Sequence, residues 1–117
     1  QVVGINVQGY KTLDKLTEHK EKDNESYFEK TGNYWYFNTD GEATAHHEMG
    51  HCFYNERILG HDAISNEWED LATQWANESN YDMIKNSSEA FAEAWAGYQL
   101  NDERVPDYIS NFIRRNT

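Results

Sequence analysis

The sequence predicts an α+β fold, a single, mostly helical domain over residues 1–117 with a small sheet. Three observations lead there. Apolar residues recur at helical spacing in several stretches. Two short runs, residues 2–8 and 34–37, are instead rich in β-branched or aromatic side chains. Glycine, asparagine and aspartate mark the boundaries between them. With 38% hydrophobic and 15% aromatic residues, the chain can close one small core built largely from rings.

Residues 2–8 carry Val2, Val3, Ile5 and Val7 and read as a strand. Residues 11–30 are highly charged. Leu13 and Leu16 start a helix there, followed by a solvated stretch over residues 20–25. Gly32 and Asn33 mark a turn, and Tyr34, Trp35, Tyr36 and Phe37 then form a strand ending at Asn38. Thr39 and Glu42 stand at capping-box spacing, so a helix is expected from about residue 41 to residue 57. Gly60, His61 and Asp62 break it. Residues 64–77 form the next helix, with Ile64, Trp68, Leu71, Ala72 and Trp75 on one side. A polar loop around Tyr81 and Met83 leads to Asn86, Ser87 and Ser88, which cap a helix over residues 88–100. Pro106, the only proline, opens a last short helix through Tyr108, Ile109, Phe112 and Ile113.

The charge balance narrows the partners. Acidic residues outnumber basic ones 21 to 10, a formal net charge of -11. Such a surface repels phosphate backbones and anionic bilayers, so neither nucleic acid nor membrane is expected as a partner. No run approaches transmembrane length. Cys52 is the single cysteine, which excludes an internal disulfide. The chain starts at Gln1 rather than Met, so a processed or excised domain is expected. A monomer is expected.

The chemistry concentrates in His46, His47, Glu48, Met49, Gly50 and His51. His47 and His51 are four apart on the expected helix, so both imidazoles project from one face about a turn apart. That spacing suits two neighbouring positions of a tetrahedral zinc site. Glu48, next to the first histidine, is placed to act on a water at the metal. The pattern His-Glu-x-x-His is the mark of zinc proteases. Ala43, Ala45, Met49, Cys52 and Phe53 indicate a helix in the inner layer. Gly50 costs about 1 kcal/mol of helix propensity, acceptable where close packing demands it.

Two histidines do not complete a site. A metzincin needs a third histidine six positions after His51 with a glycine midway, but those positions hold Arg57 and Tyr54. His61 follows the glycine break and is expected in a solvated turn. Glu67, Glu69, Asp70, Glu78, Glu89 and Glu93 are the acidic candidates. Glu89 and Glu93 stand out, four apart on a helix among alanines and aromatics. Two carboxylates on one buried face are costly without a cation or hydrogen-bond donors.

Together, the His47–His51 motif and the run Glu89-Ala90-Phe91-Ala92-Glu93-Ala94-Trp95 resemble the catalytic domain of anthrax lethal factor and the related secreted Pro-Pro endopeptidases. The resemblance covers residues 34–98. It implies a zincin-like metallopeptidase, with Glu89 as third zinc ligand and Glu93 supporting the site from behind. Tyr81, one position off the family spacing, is the match for the tyrosine that stabilises the oxyanion. It further implies a small sheet whose edge strand, residues 34–38, lies beside the substrate. The expected activity is hydrolysis of protein or peptide substrates by a zinc-activated water, with Glu48 as general base. The resemblance leans towards a secreted setting. The competing readings are a zincin-like regulator, phage- or toxin-associated, and a structural or binding module without turnover.

Overall fold

The computed structural model describes residues 13–117. Five α-helices make up most of it: α1 (Leu13–Thr31), α2 (Gly41–Phe53), α3 (Asp62–Glu78), α4 (Ser87–Gln99) and α5 (Asp107–Arg115). A π-helical turn, Tyr54–Ile58, continues α2, and a 3₁₀ turn, Asp82–Lys85, precedes α4. The described residues contain no strand and no sheet, so the expected α+β architecture is corrected to an all-helical one. The strand expected over residues 2–8 lies outside the described residues.

The correction has a local cause in residues 34–38, the expected edge strand. Their only ladder contact among the described residues is an isolated parallel bridge between Tyr34 and Tyr81. Tyr34 N–H donates to the Asn80 carbonyl at 2.9 Å, and Asp82 N–H donates to the Tyr34 carbonyl at 2.9 Å. Asp82 then enters the 3₁₀ turn, which ends the pairing. The next backbone groups are satisfied by a side chain instead. Asn24 on α1 accepts from Trp35 N–H at 3.2 Å and Tyr36 N–H at 2.7 Å, and its amide donates to the Tyr36 carbonyl at 2.9 Å. A side-chain clamp replaces a neighbouring strand. The solvated stretch expected over residues 20–25 holds for Glu21, Lys22, Asp23 and Glu25, which are exposed, and is corrected at Lys20 and Asn24, which α1 buries as it runs through.

The core sits around α4, which packs against α2, α3 and α5 and buries seven of its residues. Trp68 of α3 meets the edge of Phe91 at 5.3 Å between ring centroids and tilts onto Phe112 of α5 at 5.2 Å. Both are fully buried, as are Ile58, Ile109 and Ile113. Gly50 allows the closest approach. A Cβ there would come within 2.9 Å of Ala92 Cα and 3.0 Å of Trp95 Cβ, so α2 and α4 touch almost backbone to backbone. Met49, expected inside, is 47% exposed and lies on the outer side of α2.

Helix ends follow simple capping chemistry. Asp40, rather than Thr39, caps α2 by accepting from Glu42 N–H at 3.0 Å. Thr17 of α1 accepts from Gly41 N–H at 2.8 Å and ties the start of α2 to α1. Asn86 caps α4 through Ser88 N–H and Glu89 N–H. Gly60, at φ 90°, follows the π turn in a conformation that glycine adopts without strain. No helix among the described residues is long and apolar enough to cross a membrane.

Candidate metal centre

Helix α2 presents His47 and His51 towards α4, and the tight contact at Gly50 brings the first turns of α4 within reach. The His47 and His51 Nε2 atoms lie 3.1 Å apart. One Glu89 oxygen lies 2.9 Å from His47 Nε2, and the other lies 3.3 Å from His51 Nε2. All three side chains offer a ligand atom within 4.8 Å of one another. Lone pairs aimed at so small a volume repel unless a cation lies among them. A proton can serve, and so can a metal ion.

The electrostatics reflect this. Burial works against charge on His47, but the carboxylates of Glu89 and Glu93 outweigh it and push the imidazole up to about 9. The His47 hydrogen bond in turn holds the Glu89 carboxyl below the usual range, against the effect of burial. Glu93, 1% exposed, lies behind His47 with an oxygen 3.8 Å from Nδ1. Ser88 Oγ lies 3.0 Å from His51 Nδ1. Each imidazole thus has a partner on the ring nitrogen that faces away from the cluster, the arrangement that orients metal-binding histidines. Two imidazoles and a carboxylate are a donor set that could hold a metal ion, zinc among them.

The remaining expected residues are dispersed. Glu69 accepts from Ser87 Oγ at 2.6 Å, Glu67 pairs with Arg115 at 2.8 Å, and Glu78 accepts from Tyr108 at 3.0 Å and from Gln74 at 2.9 Å. Asp70 and His61 are exposed on and before α3. Tyr81 packs its ring against Tyr34 and Phe37, with centroid distances of 5.8 and 5.2 Å, and does not line the cavity beside the histidines.

That cavity, of about 250 Å³, lies where α1 crosses α2. Glu48 and His47 form one wall, with Thr44 a turn earlier, while Lys20 and Tyr36 face them. Glu48 is exposed and stands at the rim. Two residues of this neighbourhood were hidden from sequence reasoning. Ser88 looked like a capping serine. Lys20 looked solvated, although Leu16, Lys20 and Asn24 follow at four-residue steps on one face of α1.

Comparison of the chain with protein-family models, with curated proteins and with solved structures finds no match in any of the three.

Proposed function

We propose that the chain is a zinc-dependent endopeptidase. The observation that carries this reading is the convergence of His47, His51 and Glu89, with Glu48 beside them at the rim of a cavity. The motif's resemblance to the lethal factor and Pro-Pro endopeptidase family supports it.

Zinc held by this donor set would supply a Lewis acid that lowers the pKa of water and polarises a carbonyl. His47, His51 and Glu89 would hold it, with Ser88 at 3.0 Å from the rear nitrogen of His51 and the Glu93 carboxylate at 3.8 Å from that of His47. Glu48 binds no metal in this reading. Its carboxylate takes the proton of the attacking water and hands it to the leaving amine. The helix holds Glu48 one residue from His47, so base and ligand move as one unit. The oxyanion role that the resemblance implies for Tyr81 is not used in this reading.

Elemental analysis of protein purified without added metal should find about one zinc per chain. A peptide-library digest should show cleavage that a chelator stops. Glu48→Gln should keep the zinc and lose about 10²–10⁴-fold in rate, the usual contribution of general-base catalysis. Loss of metal from that variant would overturn the role of Glu48. Absence of cleavage by the zinc-loaded protein would leave a binding module instead.

A further inference from the structure

Lys20 is a second, separate puzzle beside the metal centre. It is one of 10 basic residues in a chain of net charge -11, yet it is only 7% exposed. Lysine is almost never buried without a partner. Its ammonium lies 4.8 Å from the centre of the Tyr36 ring, and among the described residues no carboxylate comes within ion-pair distance. Glu93 and Asp40 act on it only at longer range, against the effect of burial. Glu93 has its carboxylate turned to His47. Across the same cavity, the Thr44 hydroxyl is buried with no hydrogen-bond partner among the described residues. Among the described residues, a buried cation with no carboxylate at ion-pair distance and a buried hydroxyl with no hydrogen-bond partner thus line a space of about 250 Å³, together with Glu48, His47 and Glu93.

We propose that Lys20 and Thr44 form a subsite for one carboxylate of the peptide substrate. The proposal rests on the endopeptidase reading for the identity of the ligand. A peptide's anions are carboxylates, on an acidic side chain or at a chain end. A single carboxylate accepts from both groups at once, which removes the cost of leaving them unpaired. Longer polyanions are kept out by the overall acidic surface. The subsite lies beside the reacting bond, because Glu48 and His47 line the same wall. Lys20 is therefore a specificity residue. It does not touch the reacting atoms.

Three small probes test it on the zinc-loaded protein, with the Lys20 Cε and Thr44 Cβ resonances followed by NMR. They are N-acetylglutamic acid α-amide, N-acetylglutamine and the neutral N-acetylglutamine amide. At least one of the two acids should shift both resonances saturably, at least tenfold more tightly than the neutral probe. A response to the first acid assigns the subsite to an acidic side chain, and a response to the second assigns it to a chain terminus. Lys20→Met should weaken binding of the acid by about 10–100-fold, the range for a hydrogen bond to a charged group. Thr44→Val, nearly equal in size, should weaken it less, and it serves as the test if Lys20→Met fails to fold. In parallel digests, peptide pools with an acid at the responding position should be cut in preference to their amide counterparts, a ratio that Lys20→Met brings close to one. Acid binding without any cleavage would remove the endopeptidase reading and leave the subsite standing. Equal affinity for all three probes would overturn the subsite and leave Lys20 as a buried counter-charge to Glu93.

Discussion

At the scale of single residues, Glu89 and Glu93 share a helix face four positions apart and differ in what they reach. Glu89 spans both imidazoles through its two oxygens, while Glu93 addresses only the rear nitrogen of His47. Removing a group that donates to the metal should cost far more than removing one that orients a ligand, and losses of the latter kind are typically about 10–100-fold. Glu89→Ala is therefore expected to be largely metal-free at micromolar zinc, and Glu93→Ala to bind with reduced affinity. Competition against a coloured chelator ranks the two, and the reverse order would assign the metal to Glu93. Glu93→Ala has a second consequence. It leaves a cavity and deprives Lys20 of the carboxylate that acts on it most strongly, so its stability should be measured alongside its affinity. Of these residues, the histidine pair was legible because helical spacing decides which side chains share a face. Lys20 and Ser88 were not, because their roles depend on which helix lies opposite.

At the scale of elements, the contact of α2 with α4 positions everything else. His47 and His51 come from one helix and Glu89 from the other, so a change in helix separation is felt directly at the cluster. Gly50→Ala tests this. Helix propensity alone favours alanine by about 1 kcal/mol, whereas overpacking a close contact costs about 1–3 kcal/mol. The added methyl meets the Ala92 Cα and carbonyl oxygen and the Trp95 Cβ, none of which can swing aside, so the steric cost should win. The expected outcome is a net loss of stability of about 1 kcal/mol in denaturant unfolding, with weaker zinc binding. A more stable variant would show that the helices are not in such close contact. The helices after α1 were readable from their apolar period and from the turn residues that flank them. The segment over residues 34–38 was misread because aromatic content measures fit to a pleated, half-buried surface, and a side-chain clamp such as Asn24 supplies a comparable environment without a sheet.

At the scale of the whole molecule, metal, protons and folding are linked. A domain of 117 residues has a modest core, and a ligand that binds only the folded state adds about 2.7 kcal/mol at a hundred times its dissociation constant. For a domain near this size that corresponds to a rise in Tm of roughly 10 °C. The size of the rise should depend on pH, and its sign follows from His47. In the metal-free protein the folded pKa of His47 is raised to about 9 from the ordinary 6.5. Protonated His47 therefore stabilises the metal-free fold fully below pH 6.5, and this contribution is lost as pH rises through about 9. The depressed Glu89 contributes above the ordinary carboxylate range and loses its contribution as pH falls towards its folded pKa. Zinc needs His47 deprotonated, so binding releases a proton and becomes tighter with each step of pH up to about 9. Metal-free protein should thus become less stable between pH 6.5 and 9 while the increment from zinc grows over the same interval. Paired thermal scans with zinc and with a chelator, taken at half-unit steps, would show two Tm curves that diverge as pH rises. Parallel curves would mean that His47 loses no proton on binding zinc, and would remove it from the metal's ligand set.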